Sequence, residues 1–221
     1  HAADIDVPKT ILVHGYLTIE GKKISKSLGT AIDPQVFLKK YGVDAVRYYL
    51  LREIPFGEDG DFSERALAAR LNNELANDLG NLASRTFTMV EKYCGGKVPK
   101  GTFDQKLAAQ LPLSDIESHL AAFEFHNALA SLWKFIHAVN KYINDAKPWE
   151  SETGRDDVLY TALDSLRVIS LLISPFIPET AGKLQTSLGV KNLQWNDAAF
   201  GGLKAGKKVS KGNHLFVKVE S

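Results

Sequence analysis

The sequence contains a single cysteine, Cys94, in 221 residues. An intrachain disulfide is therefore excluded, and so is a zinc site built from several cysteines; no metal site is expected. No apolar run approaches the roughly 20 residues that span a bilayer, so no membrane role is expected, and no secretion leader is visible. A surplus of one charge is also missing. The 27 Lys and Arg against 26 Asp and Glu leave a formal net charge of +1, so broad attraction cannot be the main route to a nucleic acid. Any RNA partner has to be met by local patches. Internal repeats, coiled-coil heptads and a Walker loop, G-x-x-x-x-G-K-[ST], are all absent. These absences fit a cytoplasmic protein in a reducing compartment. The chain opens on His1 rather than methionine, as a processed product or a piece of a longer protein would. With 44% hydrophobic and 24% charged residues it can form a core without covalent staples.

The pattern along the chain changes once. "TILVHG" is rich in strand-forming residues, and a turn signal at Glu20-Gly21 leads into the basic stretch "GKKISKSLG". After Gly29 the texture becomes helical. Asp33-Pro34 is an N-cap and first-turn proline, with Gly42 as the stop, and Asp44 opens a second helix ended by Pro55. The acidic loop "FGEDGDFS" follows. From Ser63, a plausible N-cap, to Gly95-Gly96 runs one proline-free helical pattern whose Leu67, Leu71, Leu75, Leu79 and Leu82 mark a packed face. Further helices are predicted over 114–146, 156–174 and 179–188, with a final strand in "HLFVKVE". The fold class is mainly α, an antiparallel helical bundle preceded by a small α/β segment carrying the basic loop. The division falls at 1–60 and 61–221, although sixty residues with one strand pair and two helices make a poor independent core.

Three stretches carry chemistry. In the loop, flanking glycines allow a change of shape, lysines supply point charges that can follow phosphate oxygens, and serines add hydroxyl donors. On residues alone the loop is either a solvated turn or a phosphate grip. In "LANDLGNLASRTF", Asn77, Asn81 and Arg85 recur at i, i+4 and i+8, within about 80° on a regular helix and opposite the leucines. Asparagine amides and a guanidinium fork suit the edges of unstacked bases, and equally suit a solvated face. In "NDAKPWE", an exposed Trp149 could stack on a splayed-out base or pack into the fold.

"VHGYLTIEGKKISKSLG" resembles the second signature of class I aminoacyl-tRNA synthetases, the K-M-S-K-S loop. The V-H-G-x-L lead-in resembles that of the methionyl members, and Ile24 replaces the usual methionine at conserved volume. The resemblance implies that Lys23 and Lys26 hold ATP phosphates during adenylate formation. Lys26 acts on the leaving pyrophosphate, while Ser25 and Ser27 assist the closed loop. ATP and magnesium are then expected in the full-length parent, and no cofactor in this chain alone. The first signature, H-I-G-H, is absent, since His1, His14, His119, His126, His137 and His214 form no such cluster. The chain by itself is therefore expected to be inactive in amino-acid activation, with a missing N-terminal catalytic half as one partner.

The methionyl family's helical anticodon-binding domain has N-x-x-x-R on one helix and P-W at the end of another. The resemblance therefore assigns Asn81, Arg85 and Trp149 to reading the CAU anticodon of a methionine-specific tRNA. Pro148 fixes the tryptophan's approach, Asn77 is an additional position, and Asn140 and Asn144 are secondary ones. The reaction implied for the parent is ATP-driven attachment of methionine to tRNA. The segment at about 30–60 is expected to contact the tRNA stem; the tail "KAGKKVSKG" is either a solvated end or a contact to the tRNA backbone, and the former is favoured. With no further C-terminal barrel, a monomer is expected. Two alternatives stand beside this: a leucyl, isoleucyl, valyl or cysteinyl synthetase with the same helical domain, and a non-catalytic tRNA-binding or protein-docking module.

Overall fold

A computed structural model describes residues 7–19, 21–23 and 33–220, with the backbone alone for Lys22 and Lys23. A short sheet stands at the amino-terminal end. Strand β1 (Leu17–Ile19) pairs antiparallel with β2 (Lys22–Lys23) around Gly21, and parallel with β3 (Gly60–Phe62) in the register Leu17 to Gly60. The Asp61 carboxylate accepts from the Gly21 N–H (2.9 Å) and the Thr18 hydroxyl (2.7 Å). These donors hold its carboxyl below the usual range and tie the turn at the base of the basic loop.

The strand predicted over residues 10–15 is not formed. That stretch is irregular and its side chains face solvent, Ile11 at 81% and Val13 at 79% exposure. No strand among the described residues pairs with it, and the strand falls later, at 17–19. Gly15 has a steric role there. A Cβ at this position would lie 2.1 Å from the Glu58 carbonyl oxygen, so only glycine lets the two backbones pass this closely.

The helices start and stop largely where their caps indicate. Helix α1 (Pro34–Tyr41) begins with the Asp33 carboxylate accepting from the Gln35 N–H (2.9 Å) and ends at Gly42. Helix α2 (Val43–Glu53) follows at once. Its Asp44 is buried and accepts from both the N–H and hydroxyl of Thr180 (2.7 Å each), capping helix α9 (Pro178–Ser187) from across the molecule. Arg47 donates to the carbonyls of Pro175 and Phe176 in the preceding turn. These bonds and a continuous apolar core join residues 34–54 to the bundle.

The long helix begins as predicted at Ser63, whose hydroxyl accepts from Ala66, and ends at Gly95 in left-handed conformation (φ 58°). Its middle differs from the prediction. Between α3 (Glu64–Arg70) and α4 (Asn81–Cys94), Leu71–Gly80 is π-helical, and the Asn81 N–H reaches back five residues to Ala76. The leucine spacing gives the reason. On a regular helix each four-residue step overshoots a turn by about 40°, so Leu67, Leu71, Leu75 and Leu79 would drift off one face. Wider turns cancel that drift, and all four are at most 3% exposed.

The single helix expected over 114–146 is two, α6 (Leu113–Ala121) and α7 (Phe125–Ala146). The chain reverses at Phe123 (φ 61°), which packs against Phe125 and Phe56 in place of the glycine or proline that usually marks a break. Between α4 and α6 lies the short α5 (Gln105–Ala108). Helix α8 (Arg155–Leu172) is central, and every residue from 159 to 172 is buried. On it, Arg167 and Asp164 form a buried pair (2.6 Å). Arg167 also donates to the carbonyls of Asp197 and Ala199, and Asp164 accepts from Gly201. The pair thus pins the turn after a short 3-10 helix (Trp195–Ala198). The predicted final strand is absent. Instead the Asn72 side chain bonds both the N–H and C=O of Val219, satisfying that backbone as a neighbouring strand would. No helix among the described residues is long and apolar enough to cross a membrane.

Candidate nucleic-acid interface

The π-helical segment and α4 lie beside α7, and where their polar sides meet is an open cavity of about 470 Å³. The three predicted stripe residues all line it. Asn77 and Asn81 make no side-chain hydrogen bond among the described residues, so both amides are available to a ligand. Arg85 is held: its Nη2 donates to Asn144 Oδ1 at 2.7 Å, and its guanidinium carbon sits 5.7 Å from the centre of the Trp149 ring.

Trp149 reaches this place through the end of α7. Lys147 adopts a left-handed conformation (φ 43°) that terminates the helix. Pro148 is buried, and its carbonyl accepts from Arg155 Nε at 2.7 Å. The turn is thus fixed from below while the indole stays 42% exposed. The fold brings together residues 64 positions apart in sequence, which no helical periodicity could do. The other two tryptophans differ: Trp133 is buried, and Trp195 is partly buried with its indole N–H on Glu117.

Helix α7 supplies the opposite wall. Asn140, a secondary position in the sequence, donates to the carbonyls of Asp78 and Ile136 (3.2 Å each). Asn144 orients Arg85. The sequence reading missed His137 and Asp78, whose side chains meet at 2.8 Å across the groove, and Lys141 and Asp145, paired at 2.6 Å on its rim. His137, Asn140 and Asn144 lie at i, i+3 and i+7, a polar stripe that the same periodicity test applied to α4 would have found. The groove thus offers two free amides and a guanidinium with further N–H donors, and beside Arg85 stands a partly exposed indole. These are the groups that bond base edges and stack on base faces.

The second predicted site is only partly within view. Lys23 ends β2, two residues after the Gly21 turn that Asp61 ties. Ser25, Lys26 and Ser27 lie outside the described residues.

A helical domain with an amide-lined groove is joined here to a short sheet, and the comparisons with known proteins give the class of this architecture as class I tRNA synthetase. Residues 1–87 match the family described as class I tRNA synthetases (M), and residues 95–221 match the anticodon binding domain of methionyl tRNA ligase. The chain belongs to the methionyl-tRNA ligase family. It is 44% identical to the methionine–tRNA ligase of Caldanaerobacter subterraneus subsp. tengcongensis over 99% of its own length and 36% of the relative's. With that of Thermotoga maritima it shares 40% identity, over 98% of this chain and 37% of the relative. Among solved structures, Mycobacterium tuberculosis methionyl-tRNA synthetase in complex with methionyl-adenylate superposes with a TM-score of 0.85 at 39% identity, covering 97% of this chain and 45% of that one. The chain therefore spans about a third of the length of the curated relatives it matches.

Proposed function

We propose that this chain is the part of a methionine–tRNA ligase that follows the first half of the catalytic domain, and that its groove reads the CAU anticodon of methionine tRNA. The observation that carries the reading is that Asn77, Asn81 and Arg85 line one groove and that Trp149 lies against Arg85 at its edge. In this reading Trp149 stacks on an unstacked anticodon base, and Asn81 and Arg85 bond base edges, with Asn77 beside them. Pro148 sets the indole's approach, and Asn144 aims Arg85.

The parent's reaction joins methionine to tRNA at the expense of ATP. The methionine carboxylate attacks the α-phosphate and expels pyrophosphate, and a terminal ribose hydroxyl of the tRNA then takes the acyl group. Lys23 and Lys26 grip the phosphates as charge moves onto the leaving group, with Ser25 and Ser27 closing the loop. Magnesium belongs with the ATP and is assigned to no residue of this chain. Residues 1–60 are read as the end of the catalytic domain and residues 61–221 as the anticodon-binding domain. The solvent-facing Ile11, Leu12 and Val13 support reading the leading residues as the edge of a catalytic domain, because so apolar a run suits a strand covered on both faces. We place the protein in the cytoplasm, as a monomer.

Binding of this chain to methionine tRNA transcripts, with CAU and with a changed anticodon, tests the reading. A changed anticodon is expected to weaken binding at least about tenfold, the size of one or two lost base contacts. Equal affinities overturn it. The chain alone is expected to give no ATP–pyrophosphate exchange.

A further inference from the structure

The lysine side chains of the basic tail face solvent, as the favoured reading of the sequence has it, while the tail's backbone is laid along α4. The Val98 N–H donates to the Lys207 carbonyl (2.9 Å), the Gly206 N–H to Val98 (2.8 Å), and the Val209 N–H to Gly96 (2.9 Å). From there the chain runs back along the helix to the Asn72–Val219 clasp. Residues 201–220 hold five lysines, Lys204, Lys207, Lys208, Lys211 and Lys218, against one acid, Glu220. Because the whole chain is at +1, this strap concentrates positive charge that the remainder does not have. None of the five lysines forms an ion pair among the described residues, and only Lys207 is even partly covered.

Two observations give this charge a direction. Lys97 and Lys208 are partners in an antiparallel backbone bridge, which brings two exposed like charges together at an unfavourable spacing. The strap also adjoins the groove: Asn81 lines both the base-reading cavity and a second cavity of about 130 Å³ walled by Lys211, His214 and Lys218. A nucleotide whose base enters the groove at Asn81 therefore has its backbone beside these lysines. Lys211 donates to the neutral Thr88 hydroxyl (2.9 Å), and Glu91 lines a cavity together with Lys208 and Lys211.

We infer that the strap over 206–218, with Lys97, is a binding surface for the RNA phosphate backbone, continuous with the groove that reads the bases. It supplies affinity without sequence information, while the groove supplies the discrimination. The inference rests on the tRNA-binding reading above, and its test separates the two.

The affinity of the chain for CAU and changed-anticodon tRNA is measured across a salt series, for wild type and for the triple variant Lys208→Ala/Lys211→Ala/Lys218→Ala. Loss of three phosphate contacts is expected to lower the slope of log K against log salt by about two to three. Both tRNAs should weaken by a similar factor, about tenfold or more at moderate salt, with the anticodon ratio kept. The charge-preserving Lys→Arg triple should keep the wild-type slope, which separates charge from folding. An unchanged slope in a folded alanine triple overturns the strap proposal, whatever the anticodon ratio. A wild type that fails to distinguish the anticodons, with the slope still falling in the triple, overturns only the groove reading.

Discussion

The bundle and the segment ahead of it were built from equally apolar sequence and treat it in opposite ways. From Glu64 onward the leucines of the long helix, α7 and α8 share one core, and even a charged pair, Arg167 with Asp164, is sealed within it. Between residues 7 and 16, Val7, Ile11, Leu12, Val13 and Tyr16 are all exposed. The bundle completes itself, whereas the leading segment has the composition of an interior without one among the described residues. A chain that spans a third of its relatives' length and matches two family domains accounts for both halves of that contrast.

The contrast can be broken by mutation. Arg167→Ala leaves Asp164 buried without its partner and frees the 195–203 turn. It is expected to cost about 3–5 kcal/mol, read as a lower denaturant midpoint at unchanged slope; a loss below about 1 kcal/mol would mean the pair is not sealed. Ser63→Ala removes the cap of the long helix and should cost about 1 kcal/mol by the same measurement. An unaffected midpoint would mean the helix start is set by packing alone. Ile11→Ser should stay within about 0.5 kcal/mol in this chain, read as an unchanged denaturant midpoint. A large loss would show that Ile11 already has an apolar neighbour, and the comparison would fail.

Much of this was legible in the sequence because it is local. Asp33-Pro34, Ser63 and Gly95 act on their own helix ends, and the structure has caps there. The spacing of Asn77, Asn81 and Arg85 put them on one wall. Non-local features were not legible. Strand β3 is three residues paired with a strand about forty positions earlier, and the break at Phe123 has no glycine or proline. The π-helical turns are written only as a leucine step repeated at four, a signal visible once the drift is worked out. Likewise nothing in the spacing could set Trp149 over Arg85 or draw the lysine tail along α4, since both depend on how the helices pack.

The most direct test of the account is Trp149→Ala, assayed for binding to CAU and changed-anticodon tRNA at one salt concentration. Trp149 is exposed and its turn is anchored independently by Pro148 and Arg155, so the variant should fold normally. Loss of the stacking face is expected to cost about 1–3 kcal/mol of CAU binding and to bring the two affinities together, leaving only the salt-dependent attraction. Retention of the wild-type anticodon ratio by a folded Trp149→Ala protein would contradict the account.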